Sequence, residues 1–154
     1  MRVAIGSDHA GFPLKQELLE IVASLGHEPL DLGTHSTDPV DYPDQAEAVA
    51  RAVLDGEADR GIIVCGSGAG AAIAANKLPG IRCAQLQDTY TAHQSVEHDD
   101  VNVAALGARV VGVELAREMV AAFLRARFSG EERHVRRLDK VRALELGSLP
   151  RTDR

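Results

Sequence analysis

Five short apolar runs along the 154-residue chain alternate with longer stretches whose apolar positions recur every three or four residues. The runs at 2–7, 28–33, 61–65, 81–86 and 102–106 read as strands. Several are apolar at consecutive positions, as strands covered on both faces are. Between them the 3.6-residue period predicts helices. In the first, Leu14, Leu18, Leu19, Ile21, Val22 and Leu25 form one stripe, Pro13 suits the opening turn and Gly26 the stop. Further helices are expected over 44–54, 69–77, 89–97 and 114–128. Strand and helix alternating in a chain of this size predict an α/β fold. It is a Rossmann-like three-layer sandwich, a five-stranded, mostly parallel sheet with right-handed crossovers and helices on both faces. Ligands of such sheets bind beyond the carboxyl ends of the strands. The turns at 8–11, 65–70, 87–88 and 107–109 are therefore expected to share one rim.

After Gly130 the pattern changes. Residues 131–146 form a charged helical stretch carrying Arg133, Arg136, Arg137, Lys140 and Arg142 without a full apolar face. The chain thus reads as a single domain, 1–154, whose C-terminal arm, 131–154, packs on its own core or on a second subunit. A homodimer, or a dimer of dimers, is expected on that ground. The stretch 34–43, rich in Thr, Ser, Asp and Pro, reads as a long connection beside the rim and contains Tyr42.

Composition narrows the picture. Hydrophobic residues make up 45% of the chain but aromatic ones only 3%, with no Trp, so Val, Ile, Leu and Ala must fill the core. A chain of this length buries roughly 70% of its unfolded surface, enough for a core without disulfides or metals. The net charge of −6, from 23 acidic and 17 basic side chains, argues against non-specific binding to nucleic acid or to an anionic membrane. No apolar stretch approaches the ~20 residues that span a bilayer, and the strand-like start leaves no room for a secretory leader. A cytoplasmic location is expected, and Cys65 and Cys83, which have neither framework nor metal-type spacing, suit a reducing compartment. His27, His35, His93 and His134 are scattered, so no metal site is expected.

The candidate chemistry centres on Cys65. A free cysteine is most often a small buried hydrophobe, which is the reading for Cys83. Cys65 instead ends a strand, precedes glycines at 66, 68 and 70, and faces the start of a helix. Unpaired amides there suit an anion, and the missing side chains let a small ligand reach them. Such a thiol can serve as a carbon base. His98, in a loop-like acidic stretch with Asp99 and Asp100, is either a surface histidine or an acid–base group, and His9 has the same standing. Asp8 suits a helix cap as well as a site. Arg133 and Arg137, spaced i, i+4, suit a phosphate dianion or, equally, a solvated face paired with Glu131 and Glu132. The stretch 66–71 also fits a loose G-x-G-x-x-A dinucleotide pattern, with Asp88 in the place of a ribose-binding carboxylate. A small NAD-dependent oxidoreductase and a non-catalytic ligand-binding module therefore stand as alternatives.

Gly-Ser-Asp-His-Ala-Gly at 6–11, Asp-Tyr-Pro at 41–43, Cys-Gly-Ser-Gly-Ala-Gly at 65–70, Ile-Ala-Ala-Asn-Lys at 73–77 and Gly-Ala-Arg-Val-Val-Gly at 107–112 together resemble type B ribose-5-phosphate isomerases, in order and spacing, over nearly the whole chain. The resemblance implies a cofactor-independent aldose–ketose isomerase that interconverts ribose 5-phosphate and ribulose 5-phosphate through a cis-enediolate. It implies Cys65 as the proton-transfer base, Ser67 with the amides of 66–70 holding the oxyanion, and His98, helped by Asp8, opening the sugar ring. It also implies His9, Arg109, Arg133 and Arg137 on the phosphate, the last two from a partner subunit, with Tyr42 lining the sugar pocket. A branch of the family carries a glutamate at the position of Ala71 instead of the cysteine. Asp99 departs from the asparagine common in the family, which leaves open a tetrose or hexose phosphate as the substrate.

Overall fold

The computed structural model describes residues 1–147; the end of the expected arm, 148–154, lies outside the described residues. Strands β1 (Arg2–Ser7), β2 (Glu28–Asp31), β3 (Arg60–Cys65), β4 (Cys83–Gln85) and β5 (Val103–Gly107) form one sheet in the order β2-β1-β3-β5-β4. Every neighbouring pair is parallel. Helices α1 (Phe12–Ser24), α2 (Tyr42–Leu54), α3 (Ala69–Ala75), α4 (Thr89–Asp99), α5 (Val113–Arg125) and α6 (Glu132–Glu145) complete the described chain.

The period-2 alternation of the strands divides the core in two. Val3, Ile5, Ile62, Val64, Ala104 and Leu106 face one way and are covered by α1, α4 and α5. Ala4, Ile63, Cys65, Val103 and Ala105 face the other way, under α2 and α3. That second layer is rich in alanine, and a Cβ at Gly6 or Gly61 would strike Val49 of α2, so the helix rests almost on the strand backbones. The chain leaves β1 toward one edge and β3 toward the other, which makes the β1/β3 junction the switch point where a cleft opens. Among the described residues no helix is long and apolar enough to cross a membrane.

Several expectations shift at their edges. Tyr42, expected in the 34–43 connection, is the first residue of α2, because Pro43 needs no amide partner in an opening turn. His98, expected in a loop, lies in the last turn of α4, which runs on to Asp99 and stops where Asp100 turns left-handed at φ 47°. Helix α5 ends at Arg125 and not at 128, because the Arg60 guanidinium donates to the carbonyls of Phe123 and Ala126 and so takes acceptors that a further turn would use.

The stripe on α1 holds as expected, except that Lys15 is also fully buried. Its ammonium meets the Asp31 carboxylate at the end of β2, and the same carboxylate oxygen accepts the Gly33 N–H at 3.0 Å. Burial works against the Asp31 anion, but the bonds from Lys15 and Gly33 outweigh it and hold its pKa below the ordinary aspartate value. The pair pins α1 to the exit of β2. Asp31→Asn leaves a buried ammonium unpaired and is expected to cost about 3–5 kcal/mol. Lys15→Met, which leaves the partly solvated carboxylate behind, is expected to cost less. Urea unfolding of both variants checks the order.

Candidate active site

The turns leaving β1, β3 and β5 meet backbone to backbone. Asp8 N–H donates to Val64 C=O at 3.1 Å, Ala108 N–H to Cys65 C=O at 2.9 Å, and Arg109 N–H to Gly66 C=O at 3.0 Å. Contact this close is possible only without side chains. A Cβ on Gly11 would overlap the Val64 carbonyl, and one on Gly107 would overlap the Ser67 carbonyl.

These turns frame a cleft of about 340 Å³. From β1 come Asp8 and His9; from β3 come Cys65, Gly66, Ser67 and Gly70; from β5 comes Arg109, and from α2 comes Tyr42. Cys65 forms the floor, only 4% exposed, with its Sγ accepting the Gly68 N–H at 3.1 Å. Gly68 holds φ 84°, which turns that amide back onto the sulfur. The donor is placed to serve a sulfur anion. Ser67 has its hydroxyl at the opening turn of α3, accepting the Ala69 N–H at 3.2 Å.

Asp8, considered as a helix cap, is not the cap residue of α1, which is Gly11; its Oδ1 accepts the Gly11 N–H at 2.9 Å across the turn. His9 Nδ1 lies 3.2 Å from both the amide and the carbonyl of Val40, tying the cleft to the 34–41 connection. The Arg109 guanidinium lies over Gly66, and the Tyr42 ring over Gly70.

The remaining candidates lie elsewhere on the chain. His98 sits on α4, across the sheet from Cys65, and does not line the cleft; neither do Asp99, Arg133 and Arg137. The loop expected at 98 is instead helix, which extends through 98 and carries the imidazole to the α6 side. There it stacks on His134, with ring centroids 4.2 Å apart and planes 28° apart. His134 is buried, its Nδ1 is 2.7 Å from Ser129 Oγ, and its Nε2 has no partner among the described residues. Arg133 binds Glu131 at 2.8 Å, and that bond holds the Glu131 pKa below the ordinary value. Arg137 is exposed on the same helix.

The turn after β4 does not join the rim either. Asp88 caps α4, accepting the Thr91 N–H at 2.7 Å and its hydroxyl at 2.8 Å. A carboxylate so engaged removes the argument for a dinucleotide ribose at that position. Cys83, expected in the core, is half-buried against the edge of the second layer, and burial pushes its thiol up to about 12. Gln94 and His134 were not among the sequence candidates. The sequence signal for Gln94 is its i, i+4 spacing to His98, which places the two on one helix face only because α4 extends beyond 97.

Among proteins of known function or structure, the family model described as Ribose/Galactose Isomerase matches residues 3–141. The chain is 46% identical to ribose-5-phosphate isomerase B of Escherichia coli K12 over 144 residues, 94% of this chain and 96% of that one. It is 42% identical over 134 residues to a D-erythrulose-4-phosphate isomerase of Pectobacterium atrosepticum, covering 84% of this chain and 86% of that one. A solved ribose-5-phosphate isomerase B from Clostridium thermocellum superposes with a TM-score of 0.93 at 48% identity, over 97% of this chain and all of that one.

Burial, with cationic neighbours including Arg127 for His27, and His98 and Arg133 for His134, depresses the basicity of both histidines below the ordinary value of 6.5. The unfolded chain therefore binds more protons than the folded one as the pH drops past 6.5. Stability is expected to be full above that value and to decline below it. His27→Gln and His134→Gln should each flatten the decline in urea midpoints measured between pH 8 and pH 5.

Proposed function

The chain belongs to the ribose/galactose isomerase family, and we propose that it interconverts ribose 5-phosphate and ribulose 5-phosphate through a cis-enediolate, with Cys65 as the base. The activity is that of an aldose–ketose isomerase. The observation that carries the assignment of roles is the cleft at the β1/β3 switch point. It has a thiol on its floor met by the Gly68 amide, and a cation, Arg109, on its rim.

The chemistry follows from that arrangement. In the open-chain aldose the Cys65 thiolate takes the C2 proton, and the C–H electron pair becomes the C1–C2 double bond as charge moves onto the C1 oxygen. The amides of 66–70 and the Ser67 hydroxyl stabilise that oxygen. The same sulfur returns the proton to C1, and the proton on O2 passes to O1, which leaves the ketose. Tyr42 walls the sugar, while His9 and Arg109 draw the phosphate to the far end of the cleft.

One cleft holds too few cations for a dianion, whereas each chain carries His98, Asp99, Arg133 and Arg137 together on a separate surface. We assign that second group to the cleft of a neighbouring subunit in a homodimer, so that each chain supplies one half of each of two sites. Exposed Val135, Val141 and Leu144 on α6 support a contact there. Asp99 and the relative named for a four-carbon ketose phosphate favour one other reading, a different aldose phosphate. Comparing kcat/KM across four-, five- and six-carbon aldose phosphates decides it, with ribose 5-phosphate expected to lead.

Cys65→Ala is expected to abolish exchange of the C2 proton with solvent while ribose 5-phosphate still binds; retained exchange rejects the thiol as base. Cys65→Ala and Arg137→Ala chains, each inactive alone, are expected to recover about a quarter of the normal activity when unfolded and refolded together, because half of the dimers then contain one intact site. No recovery would mean that each chain completes its own site.

A further inference from the structure

On α4, Gln94 and His98 lie one turn apart, and the Gln94 amide nitrogen is 2.8 Å from His98 Nδ1. A primary amide nitrogen has hydrogens to give and no lone pair to offer. The ring nitrogen facing it must therefore be bare, and in the neutral ring the hydrogen sits on Nε2. The other side of the ring is closed by His134, buried and stacked face to face. Ser129 steadies His134 through Nδ1, and Ser129 is itself anchored by donating its amide N–H to Glu97 C=O at 3.0 Å. The imidazole at 98 is thus held at one edge and one face, with Nε2 left to act.

We propose that Gln94 is a positioning residue that fixes His98 as the Nε2–H tautomer, so that His98 serves as a hydrogen-bond donor to the sugar ring oxygen and not as a base. This rests on the reading that His98 acts in ring opening at the neighbouring subunit's cleft. Opening a furanose breaks the C1–O4 bond and moves one proton from the C1 hydroxyl to O4. A group that serves O4 must bring hydrogen; one that serves the hydroxyl must bring a lone pair. With Nδ1 occupied by the Gln94 N–H, Nε2 has only hydrogen to offer. The hydroxyl proton goes instead to the Asp8 carboxylate on the cleft rim and ends on O4, while the Nε2–H bond steadies O4 as it leaves with the bond pair. No proton is consumed.

The charged groups around the stacked pair are Glu97 and Asp99 on α4, Arg133 and Arg137 on α6, and Glu131 before it. Glu97 is engaged by His93 Nδ1 at 3.1 Å, which leaves Gln94 as the group that contacts His98 Nδ1.

Nitrogen-15 NMR of the whole enzyme labelled at histidine tests this directly, the His98→Asn spectrum identifying the resonances. At a pH where the ring is neutral, Nδ1 of His98 is expected in the range of a bare ring nitrogen and Nε2 in that of a protonated one. Gln94→Leu should produce a mixture of tautomers. Gln94→Glu, which can only accept, should move the hydrogen to Nδ1 and lower kcat on ribose 5-phosphate by at least about tenfold. A wild-type spectrum with hydrogen on Nδ1, meaning that the amide is turned the other way, overturns the proposal, as does a tautomer ratio that Gln94→Leu leaves unchanged. The spectra do not depend on turnover, so they separate this inference from the assignment of Cys65 as base.

Discussion

The cleft exists because three strand ends touch through their backbones. At Gly11 and Gly107 a single methyl group would collide with the carbonyls of Val64 and Ser67, and at Gly68 it would press on the Gly107 amide at 3.1 Å. Hydrogen bonds from Asp8, Ala108 and Arg109 to carbonyls of β3 and its turn stitch the same contact. This packing brings a thiol, a carboxylate, a histidine and a guanidinium from three separate turns to one opening. It also sets the depth of Cys65, since the left-handed Gly68 both lets the turn approach β5 and aims its amide at the sulfur. Close approach and chemistry are two results of one constraint.

A second constraint is the sheet itself. Its two layers hold different candidate groups: Cys65 under α2 and α3, and His98 beyond the opposite layer, against α6. Within this chain the sheet keeps the two groups on opposite faces. The two-fold arrangement proposed above removes the difficulty, because each subunit can present one surface while receiving the other, as symmetric dimers do.

Much of this was legible in the sequence. The five strands, their parallel pairing and the stripe on α1 follow from periodicity, and the cleft residues from the rule that strand exits gather ligands. The misses have physical causes. Helix α4 outlasts its apolar period because a left-handed Asp100, and not a glycine, ends it. The last turn of α5 is lost to Arg60, a residue distant in sequence. Asp88 looked like a ligand but is consumed by capping. Lys15 sits in an apolar stripe where no periodicity rule expects an ammonium, and only the partner at the end of β2 explains its burial. Local pattern carries the elements, whereas contacts between distant residues decide where they stop and which polar groups remain free.

The unequal setting of the two sulfurs has a practical meaning. Cys83 is held as a thiol, since burial pushes it up to about 12, and it therefore resists alkylation at neutral pH. Cys65 is reached only through an opening lined by groups suited to a sugar phosphate. An electrophilic warhead mounted on a phosphorylated acyclic polyol would thus label one position, and shape rather than intrinsic thiol reactivity would govern its selectivity.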